Sequence, residues 1–214
     1  MGTLENTFIH IKGKEEIAFG GNQAWFQHKF LKNSGCGVIS ATDLLLHMQG
    51  KRQMTETEYL EFAKKLWWKY FPVIPGFGMN GLTLMAGLNR YFHKHGISKK
   101  AFWGISGKKM LPRMDAMLSQ DLPVILAVGP NFPFFWGKQK LVFYTKTTDG
   151  KYVPSAKTKA HYVTVIGRDG VYWQISSWGK EYYIDIREYR AYVKHYSSPL
   201  VSNIICIQEK KTIQ

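Results

Sequence analysis

A reactive thiol needs access to its target, a field that favours the thiolate, and a base. The neighbours of Cys36 suggest the first two. Cys36 sits in Asn33-Ser34-Gly35-Cys36-Gly37-Val38-Ile39-Ser40-Ala41-Thr42-Asp43-Leu44-Leu45. Val38, Ala41, Leu44 and Leu45 recur at helical steps, so this stretch reads as a buried helix with Cys36 in its first turn. Unpaired backbone N–H groups and the helix dipole favour an anion there, and predict a thiol pKa below its usual value. The flanking glycines let the chain turn tightly and leave the sulfur reachable. The competing expectation is a small buried cysteine packed beside a glycine loop.

A base is offered by His161. Two β-branched and aromatic runs, Ala160-His161-Tyr162-Val163-Thr164-Val165-Ile166-Gly167 and Val171-Tyr172-Trp173-Gln174-Ile175-Ser176-Ser177-Trp178-Gly179, flank Asp169-Gly170. They predict a hairpin with a two-residue turn. In that register Arg168 faces Val171, Val163 faces Ser176 and His161 faces Trp178. His161, Ser176 and Trp178 then share one face, with Ser176 as the partner that orients the imidazole and Trp178 as its water shield.

Together these residues resemble the papain-like cysteine peptidases. Ser176-Ser177-Trp178-Gly179 is similar to that family's Asn-Ser-Trp-Gly segment. The Cys-Gly pair opening a helix, His161-Tyr162-Val163-Thr164-Val165-Ile166-Gly167 and Leu122-Pro123-Val124-Ile125-Leu126-Ala127-Val128 resemble one branch, the bacteriocin double-glycine leader peptidases. The resemblance runs in outline from about residue 18 to 207, on three short motifs. It implies Cys36 as nucleophile, His161 as general base and an upstream glutamine completing an oxyanion hole. The family's third residue is Asn or Asp, where this chain has Ser176, and Phe30 stands where its glutamine usually lies. Gln23 and Gln27 are the alternatives. Gln23 is favoured, beside a glycine pair and the Trp25-Phe26 anchor, with residues 28–34 as an intervening loop.

The remaining elements must hold these groups together. Thr55-Glu56-Thr57-Glu58 is a capping box opening a helix to about Tyr70, its stripe of Tyr59, Phe62, Ala63, Leu66 and Trp67 expected in the core. Asn80 can cap a further helix through His93, with Gly96 as its stop, and Met110 to Gln120 reads as a short helix before the Pro123–Val128 strand. Helices followed by strands predict an α+β fold, papain-like in outline. N-terminal helices come first, and the cysteine helix packs on a C-terminal antiparallel sheet that carries the histidine. At 214 residues a single domain, residues 1–214, is expected.

Between strand and hairpin, Gly129-Pro130-Asn131-Phe132-Pro133-Phe134-Phe135-Trp136-Gly137 reads as a loop. Its Phe134 and Trp136, with Trp178, are candidates for an apolar wall gripping a substrate chain, or for a cluster folded onto the core. Thr145 to Lys159 is polar and basic and reads as a rim before His161.

Composition narrows the function classes. With only two cysteines far apart, no disulfide scaffold is indicated, and Cys206 reads as a buried strand residue. No metal-ligand spacing, phosphate loop or other cofactor motif occurs. The peptidase resemblance implies a peptide or protein substrate as the partner. The absence of a leader or a long apolar run makes a reduced cytoplasmic location the default expectation. The net charge of +14 favours polyanions, but the lysines are scattered in pairs and no dedicated nucleic-acid motif is visible. Two alternatives therefore stand beside the enzyme: a peptidase-fold binding module with impaired catalysis, and a basic protein that binds an anionic partner.

Overall fold

The computed structural model describes residues 2–74, 78–104, 109–129 and 139–210. Its N-terminal part is helical and its C-terminal part is an eight-stranded antiparallel sheet, an α+β arrangement. A small sheet opens the chain. β1 (His10–Lys12) pairs antiparallel with β2 (Ile17–Phe19) and parallel with β3 (Gln53–Thr55).

A 3-10 turn at Gln23–Trp25 leads to α1 (Lys29–Ser34) and α2 (Cys36–Met48). The segment read as an intervening loop is therefore mostly helix, because Leu31 fills the core and Gly35 closes that helix on the Leu31 carbonyl. In α2 every side-chain position from Gly37 to His47 is buried, so this helix is the inner layer of the molecule. It packs on strands of the main sheet and against α3 (Glu56–Tyr70) and α4 (Gly81–Lys94). The capping box at Thr55 and Glu58 forms as the residue types require, and Asn80 caps α4.

The main sheet runs in the order β4 (Lys99–Trp103), β11 (Ile204–Glu209), β5 (Val124–Val128), β8 (His161–Asp169), β9 (Tyr172–Ser177), β10 (Lys180–Asp185), β6 (Leu141–Lys146), β7 (Tyr152–Thr158). α5 (Met110–Leu118) precedes β5 and α6 (Ile186–Tyr196) follows β10. Cys206 is buried in β11. The Thr145 to Lys159 stretch, expected as a rim, is the end of β6, a turn and all of β7. An edge strand exposed on both faces lacks the apolar alternation that would reveal it.

The β8–β9 hairpin departs from the expected register in two ways. Its turn is Gly170-Val171, with Asp169 opposite Tyr172 and Gly170 at φ +59°. That displacement preserves which residues share a face. The second departure does not. Ile166 is an extra residue between the pairs Val165–Ile175 and Gly167–Gln174, and beyond it Thr164 faces Ser176. A bulge of one residue exchanges the faces of one strand relative to the other. Ser176 therefore leaves the face of His161, and Ser177 takes its place. The carbonyl of Ile166 is satisfied from outside the pair, by the Leu4 N–H at 3.0 Å.

β9 and β10 meet in a second two-residue turn, Trp178-Gly179, between the paired Ser177 and Lys180. Both turn residues have positive φ, +51° at Trp178 and +73° at Gly179, as a tight right-twisted hairpin demands. Gly179→Ala should lower stability by about 1–2 kcal/mol, measured as a fall in the urea midpoint with an unchanged slope.

Candidate active site

Cys36 opens α2 with Gly35 as the cap residue, and His161 opens β8, so each sits at the end of a rigid element. Both line one small cavity, together with Gly21, Gln23, Asp43 and Trp178. The thiol lies against the backbone of Tyr162, the residue after His161, and near the amides of Gly37 and of Cys36 itself. Gly37 sits where helix and strand approach closely. A Cβ there would come within 2.7 Å of Met79 and 3.3 Å of Tyr162.

His161 is held from two sides. Ser177 Oγ lies 2.8 Å from its Nε2, and Trp178 stacks on the imidazole with ring centres 4.5 Å apart and planes 20° from parallel. Phe143 and Tyr182 back the indole in turn. The left-handed conformation of Trp178 costs energy in a non-glycine residue and lays its ring flat on the histidine.

Ser176, the expected orienting residue, does another job. Its hydroxyl donates to the Phe19 carbonyl at 2.8 Å. That bond is one of several that fasten the N-terminal segment to the histidine turn. Phe19 N–H donates to the Gly179 carbonyl at 2.8 Å, and Gly179 N–H donates to the Gly21 carbonyl at 3.0 Å.

Gln23 follows directly. Asn22 Oδ1 accepts from the Ala24 N–H and Trp25 packs edge-on against Tyr59, which fixes the turn that carries the glutamine into the cavity wall. Its Nε2 donates to the Lys32 carbonyl at 2.9 Å, while Oε1 is buried without a partner. Gln27 is exposed. Phe134 and Trp136 lie outside the described residues.

Sequence reasoning missed the carboxyl beneath this site. Asp43 lies two helical turns after Cys36 and lines the same cavity. Tyr59 donates its hydroxyl to Asp43 Oδ1 at 2.6 Å, and the Gly21 N–H donates to the same oxygen at 3.1 Å. Gly21 admits this packing because a Cβ would strike the Tyr59 hydroxyl at 2.0 Å. The available signal was the one charged residue in the run from Gly37 to Leu46.

Burial governs the charges. It pushes the Cys36 thiol above its ordinary value, and the nearby backbone amides only partly oppose that rise. This corrects the depressed pKa expected from the helix start: the dipole is present, but desolvation outweighs it. Burial lowers His161 to about 3 and raises Asp43 to about 7, the Asp43 rise being opposed by its bonds from Tyr59 and Gly21. At rest the pair is a neutral thiol and a neutral imidazole. Among the described residues no group of three His, Cys, Asp or Glu side chains is placed to hold a metal.

No protein-family model matches the chain, and no curated protein matches it.

Two measurements follow. In a Cys206→Ser background, Cys36 of the folded protein should alkylate more slowly at pH 7 than a free thiol. Its rate should climb about tenfold per pH unit without an inflection near pH 6–7. A fast plateau at neutral pH would show a thiolate instead. Asp43 has a folded pKa raised from its ordinary 3.8 to about 7, so its stabilising contribution is full below the first value and lost as pH rises through the second. His161, lowered from 6.5 to about 3, acts the opposite way and costs stability as pH falls. Asp43→Asn should therefore gain on wild type by a few kcal/mol between about pH 4 and 8, read from urea unfolding at each pH.

Proposed function

We propose that this chain is a papain-like cysteine peptidase, or a closely related acyl-transfer hydrolase, of the double-glycine leader peptidase type. The observation that carries the reading is that a helix-start thiol and a strand-start imidazole line one cavity, the imidazole held by Ser177 and covered by Trp178.

In the proposed reaction Cys36 Sγ attacks the carbonyl carbon of a peptide bond as its proton passes to His161. When Ser177 accepts from the Nε2–H, Nδ1 keeps the lone pair that takes the proton. The imidazolium then returns the proton to the departing amine, and water hydrolyses the thioester. The amides at the start of α2 supply the field for the developing oxyanion. Gln23 gives one Nε2–H to the Lys32 carbonyl and has a second N–H to offer beside them.

Ser177 fixes the imidazole without lending it charge, so the imidazolium is stabilised less than beside an Asp carboxylate. The chemistry is that of a slow general-base enzyme rather than of a preformed ion pair. Turnover of a peptide library should fall at least a thousandfold in Cys36→Ala and His161→Ala. Ser177→Ala should reduce kcat/KM about tenfold, whereas Ser176→Ala should mainly cost stability, by about 1 kcal/mol.

A second reading, a binding module on the same fold, is favoured by the closure of the site. The cavity is about the size of a water molecule and its two reactive groups rest uncharged. Peptide capture that is equal in wild type and Cys36→Ala, with no turnover in either, would select it.

A further inference from the structure

Part of the charge of the chain gathers on the surface formed by α1 and α3. Trp68, near the end of α3, is 79% exposed, the highest among the described large hydrophobic residues. It is the tip of an aromatic wedge. Trp67 meets Trp68 edge-on at 5.6 Å, and Phe30 of α1 meets Trp67 edge-on at the same distance. His28 closes the row against Phe30 at 4.3 Å.

Lysines ring this wedge. Helical steps place Lys64 and Lys65 one turn before Trp68, and Lys69 follows it in sequence, all exposed. On α1, Lys29 and Lys32 are exposed on either side of Phe30. Among the described residues none of these lysines takes part in an ion pair. Of the nearby carboxylates, Glu58 is tied into the capping box of Thr55, and Glu61 is the acidic side chain left on that face.

We propose that this α1–α3 face adsorbs the protein to an anionic lipid bilayer, with Trp68 and its aromatic neighbours in the headgroup layer and the lysines on the lipid phosphates and carboxylates. The proposal does not depend on the peptidase reading. An indole suits that boundary because its body is apolar and its N–H is polar. Lysine stems can lie along the apolar layer while the ammonium groups reach the headgroups. Each basic residue near an anionic surface strengthens binding, and the net charge of +14 adds long-range attraction. The ring geometry selects lipid over nucleic acid. Successive rings stand 70–78° apart, so they do not line up as the parallel row of faces on which consecutive bases stack.

Flotation of the full chain with vesicles tests this. The protein should float with phosphatidylcholine vesicles containing about one third phosphatidylserine and not with phosphatidylcholine alone, and salt should weaken the binding. Combined Lys64→Gln, Lys65→Gln and Lys69→Gln should lower affinity about a hundredfold. Trp68→Ala should lower it about tenfold and Trp68→Phe should restore most of the loss, at unchanged Tm. Removing Lys151 and Lys157 from the β6–β7 hairpin should leave binding intact. Equal flotation with neutral vesicles, or indifference to the α3 variants, would overturn the proposal. So would loss of oligonucleotide binding in those variants with flotation unchanged.

Discussion

α2 is enclosed on every side, and the rest of the molecule is arranged by that burial. A helix whose whole surface is taken up by neighbours cannot shift along its axis without opening a void in a closely packed interior. Its first turn is thereby fixed against the start of β8, with only the hydrogen of Gly37 between backbone and Tyr162. The N-terminal segment closes over the same end. It is tied below by Asp43 through Gly21 and laterally by Gly179 and Ser176. Three parts of the chain far apart in sequence thus meet around one thiol.

The burial that fixes the geometry also sets the electrostatics. Thiol, imidazole and carboxyl are all shifted toward their neutral forms, because an unpaired charge in this cavity costs more than the local dipoles return. Among the described residues no lysine or arginine lines the cavity. The thiol and imidazole are uncharged at rest, while lysines that take part in no ion pair among the described residues collect around the exposed aromatics of α1 and α3. A proposed reaction at Cys36 must create charge during attack rather than start from it, which places the burden on Ser177, Trp178 and the helix amides.

Adjacent serines illustrate how local the division of labour is. Ser176 and Ser177 have the same chemistry, yet one braces Phe19 and the other braces the histidine. Alternation along β9 separates them, and the strained Trp178 immediately after lets the chain fold back while its indole covers the imidazole. A strained backbone in that turn is tolerated because both flanking strands hold it in register.

Local patterns legible in the chain account for much of this. The helix starts at Cys36, Thr55 and Asn80 follow from capping chemistry and apolar spacing, and the order of helices before strands gave the α+β class. The choice of Cys36 and His161 came from residue type and position at element ends, and both do line one cavity. The hairpin was legible, but its register was not. Ile166 bulges out because a distant N–H, from Leu4, satisfies its carbonyl, and no feature of the hairpin's own sequence encodes that bond. The edge strand β7 was hidden for the opposite reason, since exposure on both faces removes the alternation that marks a strand. Asp43 and the direction of the cysteine shift lay beyond local reading as well. A pKa is a balance between desolvation and partners, and the amount of water removed from a group is decided only when α2, the N-terminal glycines and the sheet are packed together.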